Sequence, residues 1–227
     1  MVRILLSHPY HLALDRREAR LCRPYPPLTL LYSATYLRSR GHEVIVDDRT
    51  FRADESDFDE QLERHRPTHV AIMGDDHSVQ MKQCIGRIRE AQQAMARTAR
   101  ERAIPVFVSG PDVSDRPNSY LEAGATVALA GDGVMAVAEW VEDEEQVSGL
   151  HGPGGAGGKR SPIQDIDVLP DIDWRWIDMQ NYARRWRKKH GYWELNISTA
   201  RGCPYACNWC AKPTWGRSYV VRSPERV

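Results

Sequence analysis

The sequence has no net charge, no long apolar run and no paired set of cysteines. Its 31 basic side chains balance 31 acidic ones, so no overall field favours nucleic acid or an anionic membrane. The apolar start Val2 to Leu6 ends at Ser7, and charges follow from Asp15 to Arg20. This pattern excludes a signal-peptide core and a membrane span there. We therefore expect a cytoplasmic protein that binds no nucleic acid.

Five cysteines are an odd number, and three of them, Cys203, Cys207 and Cys210, lie close together near the C-terminal end. This is a poor disulfide framework and is typical of a metal or cluster site in a reducing compartment. Cys22 has no neighbouring thiol in sequence and is interpreted as unligated. Cys84 shares a helical face with apolar residues and is interpreted as a core side chain.

The first 145 or so residues alternate short β-rich runs with helical patterns, which is typical of βαβ units. The pattern predicts an α/β fold at residues 1–147, a Rossmann-like, doubly wound domain with a five-stranded parallel sheet. The predicted strands are Arg3 to Leu6, Glu43 to Val46, His69 to Met73, Pro105 to Val108 and Thr126 to Leu129.

Five helices are predicted between and after these strands. The first has Pro27 in its first turn and Gly41 at its C-terminal cap, with one apolar face between them. The second begins near Ser56 or Asp57. The apolar residues predicted to face the core in the first, second, third and fifth helices are Leu30, Leu31, Ala34, Leu37, Phe58, Leu62, Met81, Cys84, Ile85, Ile88, Val134, Val137, Ala138 and Val141. The fourth helix is short, from Asn118 to Ala123.

Residues 148–162 are rich in glycine and are predicted to form a flexible linker, because glycine cannot fill a core. Residues 163–227 follow as a separate segment. Within it, Ile177 to Lys189 predicts a basic helix whose cations face solvent, and Trp193 to Ser198 predicts a strand that leads to the cysteines.

The cysteines follow a C-x3-C-x2-C pattern. Four thiolates fill a [4Fe-4S] cluster, whereas three leave one iron open to a substrate or cofactor. A structural zinc site is the main alternative, with His190 as the nearest fourth ligand, but zinc normally takes two Cys/His pairs. A redox-sensing thiol cluster is a further alternative.

The run from Thr199 to Pro213, TARGCPYACNWCAKP, resembles the signature of the radical S-adenosylmethionine (SAM) enzymes. The resemblance implies that Cys203, Cys207 and Cys210 hold a [4Fe-4S] cluster whose open iron binds SAM. It implies that Trp209 lies near the adenine of SAM, although ordinary barrel packing is an equal alternative. In that family the reduced cluster splits SAM into methionine and a 5'-deoxyadenosyl radical.

The continuation from Trp215 to Val227 resembles the branch that has an N-terminal cobalamin-binding domain and includes the anaerobic ring-cyclase-like members. Pro26-Pro27-Leu28, Ser109-Gly110-Pro111 and Gly131-Asp132-Gly133 agree with it. The resemblance implies that residues 163–227 open a radical SAM β/α barrel. It also implies a small-molecule substrate, a reductant such as flavodoxin or ferredoxin, and radical-based methylation or cyclisation.

In a doubly wound sheet, ligands bind at the carboxyl ends of the strands. If cobalamin binds, the candidate contacts there are His8, Pro27, Gly74, Ser109, Gly110, Gly131 and Gly133. The Asp-x-His-x-x-Gly motif that supplies a histidine to cobalt in other cobalamin domains is missing after the first strand. Asp75-Asp76-His77 imitates its beginning but follows the third strand and has Gln80 in place of glycine, so His77 is interpreted as a loop residue. We therefore expect no histidine ligand to cobalt.

Cys210 is followed only by residues 211–227, whereas a β/α barrel needs several more units of about 20 to 30 residues each. A fragment, a truncated gene and half of a split enzyme, completed by a separate chain, are all open interpretations. Two rival functions also remain: a non-catalytic corrinoid-binding module with a vestigial cysteine tail, and a zinc-stabilised binding domain.

Overall fold

The computed structural model describes residues 1–75, 84–143, 146–210 and 214–227. Its main sheet has six strands in the order β2-β1-β3-β4-β5-β6, all parallel except β6, which is antiparallel to β5. The strands are β1 (Arg3–Ser7), β2 (Glu43–Asp47), β3 (His69–Met73), β4 (Val106–Ser109), β5 (Val127–Leu129) and β6 (Leu150–His151). The predicted α/β class and its five parallel strands are confirmed.

Helices cover both faces of this sheet, which is why its central strands are apolar without alternation. They are α1 (Arg16–Leu21), α2 (Leu28–Ser39), α3 (Phe58–His65), α4 (Ile85–Glu101), α5 (Pro111–Asp115), α6 (Pro117–Glu122), α7 (Gly133–Val141) and α8 (Met179–His190). Helices α2 and α7 pack on one face, and α3, α4, α5 and α6 pack on the other. The core therefore lies in two layers, one on each side of the sheet.

The predicted first helix is confirmed as α2. Leu30, Ala34 and Leu37 are fully buried, Pro27 stands at the N-cap, and Gly41 has a φ of 87° just beyond the last turn. That left-handed conformation suits glycine at a helix end.

The predicted core face of the third helix is wrong in part. Cys84 is the N-cap of α4 and is partly exposed, and Ile85 is 41% exposed. The buried face begins later, with Ala91, Met95 and Ala99, because the first turns of α4 extend beyond the packed sheet. Met81 lies outside the described residues.

The glycine-rich segment does not behave as the flexible linker that composition predicted. Leu150 is 1% exposed and joins the core, as part of a strand paired with β5. A Cβ on Gly155 would lie 1.9 Å from the carbonyl oxygen of Leu150, so glycine here permits close backbone packing. The domain boundaries at 147 and 162 stay a prediction.

The remaining residues form α8 and a two-stranded antiparallel sheet of β7 (Ala200–Gly202) and β8 (Tyr219–Val221). The strand predicted at Trp193 to Ser198 is misplaced, since the paired residues begin at Ala200. Helix α8 packs on the N-terminal domain, where the indole N–H of Trp186 donates to the carbonyl oxygen of Pro24 at 2.8 Å.

Within the described ranges, no helix is long and apolar enough to span a bilayer. The barrel that β7 would open stays a prediction.

Candidate functional site

The three clustered cysteines lie in one loop that leaves β7. Cys203 and Cys210 are partly buried and Cys207 is exposed, and the N–H of Cys210 donates to the carbonyl oxygen of Cys207 at 3.2 Å. Gly202, just before the loop, has a φ of 80°, and a Cβ there would lie 1.9 Å from the carbonyl oxygen of Ser218. Glycine is therefore required where β7 meets β8 and the loop begins.

The loop supplies thiols of the type and number that a cluster with three protein ligands needs. Among the residues with described positions, no three His, Cys, Asp or Glu side chains lie close enough to hold a metal ion. The three thiols are therefore not gathered around one centre in this structure. Trp209 is 83% exposed. The donor set fits a cluster in chemistry, while the closed geometry is not preformed.

A buried ion pair fixes the start of this loop to the main sheet. Nη1 of Arg201, in β7, donates to Oδ2 of Asp132 at 2.7 Å, and the two side chains are 2% and 1% exposed. Asp132 is also the N-cap of α7, where Oδ1 accepts the N–H of Val134 at 3.2 Å. Strand β7 is thereby held against the loop that follows β5, at the carboxyl edge of the sheet.

Aromatic rings and a second arginine surround this pair. The guanidinium carbon of Arg201 lies 5.6 Å from the ring centroid of Tyr32 and 5.7 Å from that of Trp215. Arg222 also lies 5.6 Å from the Tyr32 ring and donates to its hydroxyl at 3.3 Å. In the described part of the chain, Nη2 of Arg201 is buried without a hydrogen-bond partner. A spare guanidinium donor of this kind suits an anionic or carbonyl oxygen.

A cleft of about 500 Å³ opens beside these side chains. Tyr25 donates from its hydroxyl to Oε2 of Glu194 at 3.0 Å, and Nδ2 of Asn196 donates to the carbonyl oxygen of Pro26 at 3.1 Å. Oδ1 of Asn196 is buried and has no partner within the described ranges. The cleft is lined in part by Tyr25, Leu28, Asn196, Ile197, Ser198 and Trp215. Apolar walls with a few polar groups are typical of a small-molecule site.

Four of the predicted cofactor contacts pack against one another at the carboxyl ends of β3 and β4. A Cβ on Gly74 would lie 2.9 Å from Cα of Gly110, and the Gly74 N–H donates to the Ser109 carbonyl oxygen at 2.7 Å. A Cβ on Gly133 would lie 2.8 Å from Oγ of Ser109. The structure brings these residues together, and packing alone requires the glycines.

Two further predicted contacts lie on either side of this group. Gly131 has a φ of 119°, and a Cβ there would lie 2.5 Å from the carbonyl oxygen of Arg160. Pro27 is buried at the start of α2, beside Leu28 of the cleft. Their contact with a cofactor stays a prediction.

His8 is almost fully buried and engages a carboxylate. Its Nε2 lies 2.9 Å from Oδ1 of Asp48, whose Oδ2 accepts from the hydroxyl of Tyr182 at 2.7 Å. Burial raises the pKa of Asp48, but the hydrogen bonds and charge of His8 and the hydrogen bond from Tyr182 outweigh it and hold that pKa below its usual value. The His8 ring is therefore fixed by the protein itself. His77 lies outside the described residues.

Sequence reasoning missed Asp132, Arg201 and Asn196. Asp132 follows a strand and precedes a helix, a position typical of an N-cap, and Arg201 adjoins the cysteine motif. Nothing in the sequence pairs them, because they are 69 residues apart.

Comparison with family models gave no match. The chain is 25% identical to the anaerobic magnesium-protoporphyrin IX monomethyl ester cyclase of Synechocystis sp., over 99% of this chain and 45% of that protein. It is 23% identical to the protein of the same name from Rubrivivax gelatinosus, over 100% of this chain and 41% of that protein. The chain is 25% identical to an uncharacterized methyltransferase of Pyrococcus horikoshii, over 89% of this chain and 44% of that protein. The chain thus spans less than half the length of these relatives.

Among solved structures, the chain resembles the cobalamin-dependent SAM radical enzyme OxsB with aqua-cobalamin and SAM bound. The TM-score is 0.69 at 15% identity, over 100% of this chain and 30% of that chain. At this identity the likeness concerns the fold. By sequence over nearly its whole length, the chain thus confirms the predicted resemblance to the N-terminal portion of the cobalamin-binding-domain radical SAM family, in the anaerobic ring-cyclase-like branch.

Proposed function

We propose that this chain is the N-terminal part of a cobalamin-dependent radical SAM enzyme. Cys203, Cys207 and Cys210 hold a [4Fe-4S] cluster, and the doubly wound domain at residues 1–147 binds cobalamin. A cluster with three protein ligands supplies one open iron to SAM and the electron that cleaves it. The observation that carries the proposal is the buried Arg201–Asp132 pair, which joins the strand that leads into the cysteine loop to the sheet edge where such folds bind ligands.

The chain's own residues position and shield these groups. Gly202 allows the tight start of the cysteine loop, and Arg201 fixes that start. Trp209, which is exposed beside Cys210, offers a ring face for the adenine of SAM.

We propose that cobalamin binds at the carboxyl edge of the sheet, near Gly74, Gly110 and Gly131. This is the edge at which doubly wound sheets bind their ligands. The glycines pack there against the protein itself, Gly74 against Gly110 and Gly131 against Arg160, and keep the backbone segments close together. His8 does not reach cobalt, because its ring is 1% exposed and held by Asp48. We therefore propose that cobalamin binds here without a histidine from this domain on its lower face.

The substrate is a small molecule that undergoes radical methylation or cyclisation. Relatives named as a cyclase and as a methyltransferase support both outcomes equally. The remaining barrel comes from further residues of the same polypeptide or from a separate chain. A small reductant protein, flavodoxin or ferredoxin, supplies the electron. Because the cluster is oxygen-sensitive, we place the protein in the reducing cytoplasm.

The proposal is tested by adding both cofactors to the 227-residue chain without oxygen. After reconstitution with iron and sulfide, the dithionite-reduced protein is titrated with SAM and followed by low-temperature EPR. Binding at an open iron should change the signal. In parallel, aqua-cobalamin is titrated and its visible spectrum recorded. Both ligands should bind the same preparation.

The rival functions give different results in this experiment. A corrinoid-binding module with a vestigial cysteine tail retains cobalamin but no iron or acid-labile sulfide. A zinc-stabilised domain contains zinc after purification in air and has no visible absorption. Either result would overturn the proposal.

A further inference from the structure

Two helices carry a concentration of cations that the neutral overall charge conceals. We define the basic patch as the exposed basic side chains of α1 and α8, together with Arg23, which follows α1 closely in sequence. Its members are Arg16, Arg17, Arg20, Arg23, Arg184, Arg185, Arg187, Lys188 and Lys189, all exposed. From sequence alone the α8 cations are typical of an ordinary solvated helix face, and no local pattern connects them with those of α1.

The two helices meet at their carboxyl ends. Nε2 of His190, the last residue of α8, lies 3.0 Å from the carbonyl oxygen of Leu21, the last residue of α1. Trp186 packs one turn earlier against Tyr25, with ring centroids 5.3 Å apart. Cations at the carboxyl ends of the two helices, although separated by more than 160 residues in sequence, therefore lie on neighbouring parts of the surface.

Few acidic side chains offset this charge. Glu18 is the only acidic residue in the two helices, and it is buried, 3.8 Å from Arg17. Among the described residues no other ion pair involves the basic patch. Since the whole chain balances 31 cations with 31 anions, this surface is positive against a neutral background. Such an asymmetry attracts an oppositely charged partner over about a Debye length.

Helix stability explains only part of the pattern. Cations in a last turn interact favourably with the helix dipole, which accounts for Arg187, Lys188 and Lys189 in α8. It does not account for Arg16 and Arg17, which lie in the first turn of α1 where the dipole disfavours them. A partner is a better explanation for cations at both ends of these helices.

The chemistry of the basic patch favours an acidic protein. The apolar residues of α8, Tyr182, Ala183 and Trp186, point inward and are buried, so the helix offers no side chain to insert into a bilayer. Buried aromatic rings cannot stack on bases either. Beyond the end of α8, Tyr192 is 50% exposed, but the exposed side chains of the two helices themselves are mainly charged. Such a surface is typical of weak, transient contacts between proteins.

We propose that the basic patch is the docking surface for an acidic electron-carrier protein. This rests on the proposed function, since a cluster that cleaves SAM must be supplied with an electron. A short stretch of chain joins the basic patch to the cysteine loop: it runs from His190 at the end of α8 through Glu194 and Asn196, which line the cleft, into β7.

The test measures binding, not turnover, and needs no cluster. A flavodoxin is titrated calorimetrically into the 227-residue chain at about 0.05 M and about 0.3 M salt. The triple variant Arg20→Gln, Arg184→Gln and Lys188→Gln should bind about tenfold more weakly at low salt. Its affinity should also depend less on salt.

A matched control with the same charge change is Arg64→Gln, Arg97→Gln and Arg100→Gln, which alters exposed arginines of α3 and α4. The control should bind like the parent.

Thermal unfolding by circular dichroism verifies that both triple variants are folded. Equal affinity of the parent and the patch variant would overturn the proposal, as would an equal loss in the control. Tighter, patch-dependent binding of phosphatidylserine vesicles or of a single-stranded RNA would overturn it too. If flavodoxin does not bind the basic patch, the proposed function still holds, provided that dithionite reduces the cluster and SAM binds to it. Failure of the proposed function would show as no cluster at all.

Discussion

Arg201 and Asp132, 69 residues apart, form an ion pair of 2.7 Å that is almost completely removed from water. One partner stands two residues before Cys203, and the other caps α7 at the carboxyl edge of the sheet. The pair therefore couples the candidate cluster loop to the candidate cobalamin edge, and a cofactor on either side would be positioned by it.

The charge of Asp132 should stabilise the fold strongly. Asp132→Asn keeps an N-cap side chain for α7 but leaves the Arg201 guanidinium buried without a counter-charge. We expect the free energy of unfolding in urea to fall by about 3 kcal/mol.

The double variant Asp132→Asn with Arg201→Met removes both charges and should lose less than the sum of the two single changes. An additive loss would show that the two side chains do not interact. An unchanged unfolding midpoint in Asp132→Asn would contradict the buried pair itself.

Gly202 should be essential for the cysteine loop. Gly202→Ala places a Cβ 1.9 Å from the carbonyl oxygen of Ser218 at a φ of 80°, so β7 and β8 must separate. Iron bound after anaerobic reconstitution should fall to a small fraction of the parent value.

Gly158→Ala is the matched control, because Gly158 has a φ of 70° with open space around it. It should cost only about 1 kcal/mol of backbone strain and leave the iron content unchanged. Equal iron content in the two variants would contradict the role of Gly202.

His11 should make stability depend on pH. Burial, followed by the charges of Arg49 and His8, lowers its pKa from 6.5 to about 4, and neither ring nitrogen has a partner in the described ranges. Between pH about 6.5 and about 4, the His11 ring therefore binds a proton in the unfolded chain but not in the folded chain. Stability should be full above pH about 6.5 and fall by about 3 kcal/mol as pH drops to about 4.

The variant His11→Phe removes this titration and loses no hydrogen bond of the native ring. Urea unfolding at several pH values should give a flatter profile between pH about 6.5 and about 4. A slope equal to that of the parent would assign the dependence to other groups.

His8 should not bind cobalt. The variant His8→Ala should be less stable, because Asp48 and the N–H of Arg49 both lose their contact with Nε2 of the ring. The visible spectrum of bound cobalamin should nevertheless match that of the parent. A histidine-ligated spectrum that disappears in the variant would refute the assignment.

The parallel sheet could be predicted from sequence because apolar β-branched runs and helical periodicity are local signals. Strand β3 was predicted with its observed bounds, His69–Met73. The sixth strand could not be predicted, because Leu150 sits among glycines and owes its pairing to β5 across the sheet edge. Composition indicated flexibility where tertiary contacts impose order.

In the candidate site, too, local sequence patterns could be interpreted and tertiary contacts could not be predicted. The spacing of Cys203, Cys207 and Cys210 identified the chemistry. The groups that position it, Arg201 with Asp132, depend on contacts across the fold that no local pattern contains.

The central claim is that these three cysteines hold a [4Fe-4S] cluster. Alanine variants of Cys203, Cys207 and Cys210 are reconstituted without oxygen beside the parent, and iron, acid-labile sulfide and low-temperature EPR are measured. Variants Cys22→Ala and Cys84→Ala serve as controls. The account predicts about four iron atoms per chain in the parent and both controls, and loss of the brown chromophore in each of the three cysteine variants. A cluster that persists in those variants, or that disappears in Cys22→Ala, would contradict it.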